Sequence, residues 1–230
     1  MCLVGRKFSA AGSEFTLGFR KVATTDNFQI LIWRAGKSAK ASKGTAQLAF
    51  DRVKFEAPYV TGPVNIRGLD LTEIATKRSD VGALVSSKTL NVVADTLATS
   101  FNLRGIGGAM KALEDCEKKL LIGWGMNPTA MAAIKTPASI KNVMSLFTTN
   151  DYPREALGRR EQGISAIRYI VGVDGRVRDC HVTASSGSSS LDAKTCEIHM
   201  NRARYEPART ATGETVPSVV FTRMRWELPE

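Results

Sequence analysis

Four cysteines and two histidines are the residues of this sequence whose types and spacing could support metal or redox chemistry. They are Cys2, Cys116, Cys180, His181, Cys196 and His199. Cysteine thiolates and histidine imidazoles are the usual ligands of structural zinc, but the sequence has no C-x-x-C pair and its spacings match no familiar zinc finger. Zinc binding, two disulfides and reduced core cysteines all remain open. Two disulfides are favoured, because an even number of cysteines that divides into an early and a late pair is typical of an oxidising compartment.

Other patterns that could support catalysis are weak. Both histidines stand beside cysteines, which makes them poor candidates for the base of a serine or cysteine nucleophile. The carboxylate pair Glu114-Asp115 is expected to face solvent from a helix. The glycine cluster 105–108 fails the G-x-G-x-x-G pattern because position 110 is Met, and no Lys-Ser/Thr follows it. We therefore expect no enzymatic activity, no catalytic residue, no cofactor and no metal.

The charge of the chain favours anionic partners. The 230 residues carry a formal net charge of +10, and the densest basic patch is Arg34, Lys37, Lys40 and Lys43. Such a patch could attract an anionic polymer or lipid. Nucleic acid is not expected, because zinc fingers, basic heptads and the sheet signature of RNA-binding domains are all missing. No apolar run approaches the roughly 20 residues that span a bilayer.

The elements that must position these residues fall into an α+β fold with two domains. Residues 1–121 are predicted to form a mostly antiparallel β domain, because apolar and polar residues alternate through segments such as 15–19, 28–33 and 64–66. A helix over 109–121 should close it, with Met110, Leu113 and Leu120 on one face. Cys116 would then face the sheet and could reach Cys2 on the first strand. Residues 122–147 are predicted to be a semi-ordered linker.

The last domain, 148–230, is predicted to contain a helix, two strands, a second helix and a final strand around a three-stranded antiparallel sheet. Asp174-Gly175 predicts a type I′ turn between the first two strands. The apolar stripe of the second helix is predicted from 3-4-3 spacing to be Ala193, Cys196, Met200 and Ala203. Cys180 and Cys196 would bracket the serine-rich loop, in a placement compatible with a disulfide.

This last domain resembles the C-terminal domain of TonB energy transducers. The matching residues, in order, are Asp151-Tyr152-Pro153 with Ala156, Gly163, Val173-Asp174-Gly175-Arg176-Val177, Ser185-Ser186-Gly187, Leu191-Asp192, Arg202–Ala208, Gly213, Val216 and Trp226-Glu227-Leu228. None of these is diagnostic alone, but their order and spacing over the whole domain are specific. The resemblance covers about a third of the chain, and the first 150 residues resemble no family.

The resemblance implies a periplasmic protein-binding module. In that family the domain receives an extended segment of an outer-membrane transporter, the TonB box, which adds as a strand along the last β-strand. Carried over to this sequence, the partner-binding residues are Tyr152, Pro153, Val219, Phe221, Arg223 and Arg225. Arginines on the outer face of an edge strand could also discourage unwanted pairing while selecting acidic partners.

Two departures from the family leave alternatives open. Transducers of this type normally carry a transmembrane anchor and a proline-rich spacer, and this sequence contains neither pattern, so we expect a periplasmic protein whose signal peptide or anchor is absent from this chain. The alternative function is an envelope-binding or scaffold protein whose basic N-terminal domain binds an anionic polymer or lipid. An exposed edge strand also permits pairing between two copies, as a homodimer.

Overall fold

Alternation of apolar and polar residues builds the first half of the chain into strands whose apolar faces meet in one core. The computed structural model describes residues 2–10, 12–21, 27–36, 41–51, 53–63, 68–77, 79–95 and 97–228. The chain divides into two compact units, Met1–Gly123 and Trp124–Glu230. Each unit has its own hydrophobic core. Helices and antiparallel strands occur in both, which confirms the predicted α+β class.

The first unit is built on one eight-stranded antiparallel sheet. Its strands are β1 (Cys2–Ala10), β2 (Ser13–Lys21), β3 (Asn27–Ala35), β4 (Ser42–Phe50), β5 (Val53–Pro63), β6 (Leu69–Lys77), β7 (Thr89–Ala94) and β8 (Leu97–Asn102). They are arranged in the order β1-β2-β3-β6-β5-β4-β7-β8, and a 3-10 helix, Gly82–Ser86, precedes β7. Inward side chains of all eight strands enter one cluster. The expected strand at 64–66 lies outside the described residues.

Helix α1 (Ile106–Gly123) packs on this sheet and is longer than the predicted 109–121. It begins directly after Gly105, whose φ of +82° lies in the left-handed region that glycine adopts without strain. Cys2 and Cys116 form a disulfide, as the helix face predicts. One residue further along α1, Glu117 makes a buried ion pair with Lys21 of β2. The disulfide and the ion pair together attach α1 to the first two strands.

The second unit combines short elements with a three-stranded sheet. Its elements are α2 (Pro128–Ala132), β9 (Ile134–Thr136), β10 (Ser139–Ile140), α3 (Val143–Leu146), a 3-10 helix (Thr149–Asp151), α4 (Arg154–Gly158), β11 (Gly163–Val171), β12 (Val177–Ala184), α5 (Ser189–Arg202), β13 (Tyr205–Glu206), β14 (Ala208–Thr210), β15 (Thr215–Val216) and β16 (Ser218–Trp226). The main sheet has the order β12-β11-β16. The succession α4, β11, β12, α5, β16 confirms the predicted order of elements.

The segment 122–147, expected to be a linker, supplies strands to the second unit. β9 pairs with β14, and β10 pairs with β13. Leu146 of α3 is 2% exposed and belongs to the core of this unit. Most of the segment is therefore part of the fold around β11, β12 and β16.

Two local predictions for this unit are wrong. The hairpin between β11 and β12 forms, but a type I′ turn needs two positive φ angles, and only Gly175 has one. Gly175 is required there, because an added Cβ would lie 2.1 Å from the Tyr205 carbonyl oxygen. On α5 the predicted stripe is displaced: Met200 is 45% exposed. The buried residues of that helix are Leu191, Asp192, Thr195, Ile198 and His199.

The second disulfide joins Cys180 of β12 to Cys196 of α5, as predicted. It lies beside the serine-rich loop, whose conformation depends on Asp192. The Asp192 carboxylate accepts hydrogen bonds from Ser165 Oγ at 2.6 Å, Ser185 Oγ at 2.5 Å and the Ser186 N–H at 2.9 Å. Burial raises the pKa of this carboxyl, but the hydrogen bonds outweigh it and the pKa is lowered. The Ser-Ser-Gly and Leu-Asp matches thus have a structural role.

Candidate functional site

Strand β16 presents the more regular of the two edges of the main sheet in the second unit. All nine of its residues pair with β11 in unbroken register, from Gly163 opposite Trp226 to Val171 opposite Ser218. Within the part of the chain that the structure describes, no strand pairs with the other side of β16. The outward N–H and C=O groups that follow Val219 on this strand therefore meet no other strand there and are available to an added strand.

Strand β12, at the opposite edge, is irregular. Its register with β11 shifts between Ala166 and Ile167 and again between Arg168 and Ile170. Asp179, in the middle of β12, has a φ of +51°, which is uncommon for a residue with a side chain. Bulges and twists of this kind discourage the addition of another strand. Of the two edges, β16 is the better template.

One face of β16 is anchored in the core. Trp226 is 4% exposed, and its indole Nε1 donates a hydrogen bond of 2.9 Å to Thr195 Oγ1 of α5. Val220 and Met224 pack against the same core. This face is packed against α5 and the core and is therefore closed to a partner.

The predicted residues Val219, Phe221, Arg223 and Arg225 lie together on the other face of β16, opposite alternate residues of β11. Val219 is buried, and Phe221 is partly buried with its ring centroid 6.1 Å from that of Trp124. Arg223 and Arg225 are exposed; Arg225 Nη1 lies 3.1 Å from Glu227 Oε1, in an ion pair open to solvent. Among the described residues, Arg223 makes no ion pair.

Tyr152 and Pro153, the other predicted residues, lie elsewhere. The Tyr152 ring packs edge-on against Trp226, with centroids 5.3 Å apart, and its hydroxyl donates to the Glu161 carbonyl. Burial, with a smaller contribution from Glu161, raises the pKa of the Tyr152 hydroxyl. Pro153 occupies the N-cap of α4. The predicted set is thus divided: Tyr152 supports the core-facing side at the end of β16, whereas the arginines lie on the opposite face.

An aromatic and charged cluster on the outer face was missed by the sequence analysis. Arg168 is directly opposite Phe221 on β16 and His181 on β12. Its guanidinium carbon lies 4.7 Å from the ring centroid of Trp124, and Nη1 donates to Asp179 Oδ2 at 2.9 Å. This hydrogen bond is the main cause that lowers the pKa of Asp179, whose other oxygen lies 2.6 Å from His181 Nε2. The sequence offered one signal of this cluster, which is Trp124 in the segment expected to be a linker. Tryptophans are highly buried on average, so its presence there indicates packing against the fold.

Within the described ranges no metal-binding cluster is formed, and the basic patch is described only in part. All four cysteines are in disulfides, and among the described residues no group of three His, Cys, Asp or Glu side chains could hold a metal ion. Of the basic patch, Lys37 and Lys40 lie outside the described residues. Arg34 pairs with Asp70 in the β3–β6 ladder, and Lys43 pairs with Val60 in the β4–β5 ladder.

Comparison with known proteins finds a family match within the second unit. Residues 148–228 match the family model described as the C-terminal domain of the Gram-negative bacterial TonB protein. The match confirms the resemblance of the last third of the chain and covers β11, β12, α5 and β16. No curated protein matches the chain. None of the helices in the described ranges has the length and apolar character needed to cross a membrane.

Proposed function

From the TonB C-terminal domain of residues 148–228, we propose that this chain binds an extended segment of an outer-membrane TonB-dependent transporter, or of another envelope protein, in the periplasm. The segment adds as a fourth strand along β16. The family is one of protein-interaction domains without catalysis, which supports a binding function at the coarse level. The observation that carries the finer proposal is the unbroken edge of β16.

The dimensions of this edge suit a short peptide. Nine residues of β16 are paired with β11, which gives an edge about 30 Å long at roughly 3.3 Å per residue. A partner that pairs along it gains backbone hydrogen bonds without any change in the existing sheet. The irregular β12 edge offers no such run, so the β16 edge is favoured for the addition of a strand.

The outer face of β16 indicates the chemistry of the partner. Side chains of an added strand alternate between the two faces, so every second one would lie beside Phe221, Arg223 or Arg225. Arg223 and Arg225 favour carboxylates two positions apart. Phe221, with Trp124 against it, favours an apolar or aromatic residue at the next position in the same row. We therefore expect a partner segment of acidic, alternating character with an apolar residue at one end.

The proposal is tested by an amide-resolved NMR titration of the full, oxidised chain. The probe is a nine-residue peptide with Glu at two alternate positions and Val elsewhere; a peptide with Lys in place of Glu is its matched control. We expect shifts concentrated on 218–226, saturating only with the acidic peptide. Shifts spread over both units, or none at millimolar peptide, would contradict strand addition at β16.

Pairing of β16 with its own copy is the competing use of the edge. It is distinguished in the same experiment by diluting the free protein. If the amides of 218–226 shift on dilution and the mass measured by light scattering falls from that of a dimer, the edge is occupied by a second copy. A constant spectrum and a monomer mass would mean that no second copy occupies the edge, which can then bind the peptide.

A further inference from the structure

The first unit contains a seam at which its sheet is held together by side chains. β1 and β8 are the two ends of the eight-stranded sheet and share no backbone pairing in the described residues. They nevertheless meet, because the rings of Phe8 and Phe101 are in edge-to-face contact with centroids 5.3 Å apart. Arg6 Nη1 also donates a hydrogen bond of 2.9 Å to the Arg104 carbonyl. The sheet thus curls around its core and leaves one gap that backbone hydrogen bonds do not close.

A cavity of about 70 Å³ lies at this seam, beneath the first turn of α1. Most of its lining is apolar. The apolar side chains are Val4, Phe8, Leu17, Phe19, Leu103, Ile106 and Ala109. Since a buried water needs at least ~10–15 Å³, the cavity has room for roughly five groups of that size. A short stretch of alkyl chain fits this space and chemistry better than a sugar or a peptide, which would bring polar groups without partners.

The rest of the lining consists of Gly5, Gly105, Asn102 and two arginines, and neither arginine has a carboxylate partner among the described residues. Arg6 alternates with Val4 and Phe8 on the core-facing side of β1, yet its side chain is exposed, with the guanidinium 4.6 Å from the centroid of the Phe8 ring. Arg104, two residues after the end of β8, is also exposed. In the described ranges neither arginine makes an ion pair with a carboxylate. A guanidinium has five N–H donors, so Arg6 keeps donors for an anion after its bond to the Arg104 carbonyl.

The net positive charge of the first unit also favours an anionic ligand. Residues 1–123 contain 18 Lys and Arg against 11 Asp and Glu. An excess of positive charge raises the local concentration of anions near the surface. An apolar cavity with two cations in its lining is complementary to a molecule that is apolar at one end and anionic at the other.

We propose that this seam binds a single-chain anionic amphiphile, with about five carbons of its alkyl chain in the cavity and its carboxylate or phosphate on Arg6 and Arg104. The site belongs wholly to the first unit and is independent of strand addition at β16. The shared chemistry, one alkyl chain and one anionic group, is found both in free fatty acids and in lysophospholipids.

The test is a calorimetric titration of the full, oxidised chain with sodium dodecanoate below its micelle-forming concentration. Dodecyl maltoside has the same chain without charge, and sodium acetate has the same charged group without the chain. We expect one saturable site for dodecanoate, at least tenfold weaker binding of dodecyl maltoside, and no binding of acetate. Equal binding of dodecanoate and dodecyl maltoside would overturn the proposal.

Two variants with matched controls place the ligand. Arg6→Gln with Arg104→Gln should weaken dodecanoate binding at least tenfold, whereas Lys7→Gln with Lys118→Gln, which removes the same charge at exposed positions away from the cavity, should change it less than twofold. Ala109→Phe should fill the cavity and abolish binding, and Ala112→Phe, at an exposed position on the same helix, should not. Equal losses in a variant and its control would show that the cavity is not the site.

The same titration distinguishes the two sources of ligand. Lysophosphatidylglycerol with a twelve-carbon chain is compared with dodecanoate on the unmodified protein. Tighter binding of the lysophospholipid supports a ligand derived from membrane lipid, and tighter binding of dodecanoate supports a free fatty acid. If neither binds, the proposal is wrong.

Discussion

Trp124 covers Arg168: the guanidinium carbon lies 4.7 Å from the centroid of the indole ring, on the face of the sheet opposite to helix α5. Arg168 is only 6% exposed and is paired with Asp179, so the indole completes the shielding of a charge that is already held by a carboxylate. The first residue of the second unit is therefore part of the surface beside β16. A partner strand added to β16 would contact Phe221, and Phe221 in turn packs against the Trp124 ring.

Removal of the indole is expected to destabilise the second unit. Trp124→Ala should lower its free energy of unfolding by about 2–4 kcal/mol, because packing on Phe221 and a shielded cation–π contact are both lost. Urea denaturation followed by circular dichroism measures the change. Met144→Ala is the control within the same unit, since Met144 is 94% exposed and should cost less than about 0.5 kcal/mol. Equal effects would mean that Trp124 does not support the sheet.

Proline scanning at two neighbouring positions tests the role of the β16 edge. Thr222 and Arg223 are adjacent, so one has its N–H directed toward β11 and the other has it directed outward. We expect the proline variant that retains more thermal stability to lose peptide binding, because its missing N–H is the one a partner would use. The measurement combines thermal unfolding with the NMR titration. Retained binding in the stable variant argues against strand addition on this edge.

Charge reversal tests partner selection. Arg223→Glu with Arg225→Glu should reduce the affinity for the acidic peptide at least tenfold and improve binding of the lysine peptide, because the contacts would change from attraction to repulsion. The control is Arg154→Glu with Arg160→Glu, which makes the same change in net charge at exposed positions outside the sheet. Fluorescence anisotropy at low and high salt provides the readout. An equal loss in both variants would assign the effect to net charge alone.

The two disulfides are expected to differ in their contribution to stability. The Cys2–Cys116 bond joins residues 114 apart, and Cys180–Cys196 joins residues 16 apart. In the chain-entropy model, removal by paired alanine substitutions should cost about 5 kcal/mol in the first case and about 3 kcal/mol in the second. Urea denaturation of each variant measures the difference. A larger loss from Cys180→Ala with Cys196→Ala would show that native contacts outweigh loop length.

Acidification should weaken the second unit through His199. Burial lowers the pKa of this imidazole despite its hydrogen bond to the Thr195 carbonyl, so the unfolded chain binds a proton more readily than the folded one. The stability that depends on neutral His199 is present above about pH 6.5 and is lost as the pH falls below it. Unfolding free energies at pH 7.5 and pH 5 should differ less in His199→Gln than in the unmodified protein. His181→Gln, at an exposed histidine, is the control.

Hydrophobic periodicity and the order of motifs predicted those elements whose packing partners are indicated by the sequence pattern itself. The face of α1 that carries Cys116 predicted its bond to Cys2, and the motifs of 148–228 predicted the order of elements around β11. β6 was not identified, because its inward positions carry Asp70, Thr72 and Thr76 while its apolar residues lie partly outward, which inverts the expected pattern. A buried polar strand of this kind is readable only once its neighbours are known.

The candidate site was predicted only in part, because some of its residues are placed by local alternation and others by tertiary packing. Strand alternation places Val219, Phe221, Arg223 and Arg225 on one face without knowledge of the fold. The position of Tyr152 on the other face depends on tertiary packing against Trp226, and so does that of Trp124 over Arg168. The same holds for α5, where His199 is buried between the Phe147 and Tyr169 rings while Met200 is exposed.

The nine-residue ladder between β11 and β16 has a mechanical consequence. A tensile load applied along β16 would be shared by all its hydrogen bonds at once, whereas a load across the sheet would break them one after another. The far end of the strand is fixed by Trp226, which is bonded to α5, and α5 is fastened to β12 by the Cys180–Cys196 bond. A partner lying along β16 would therefore resist a pull parallel to the strand far better than a pull at right angles to it.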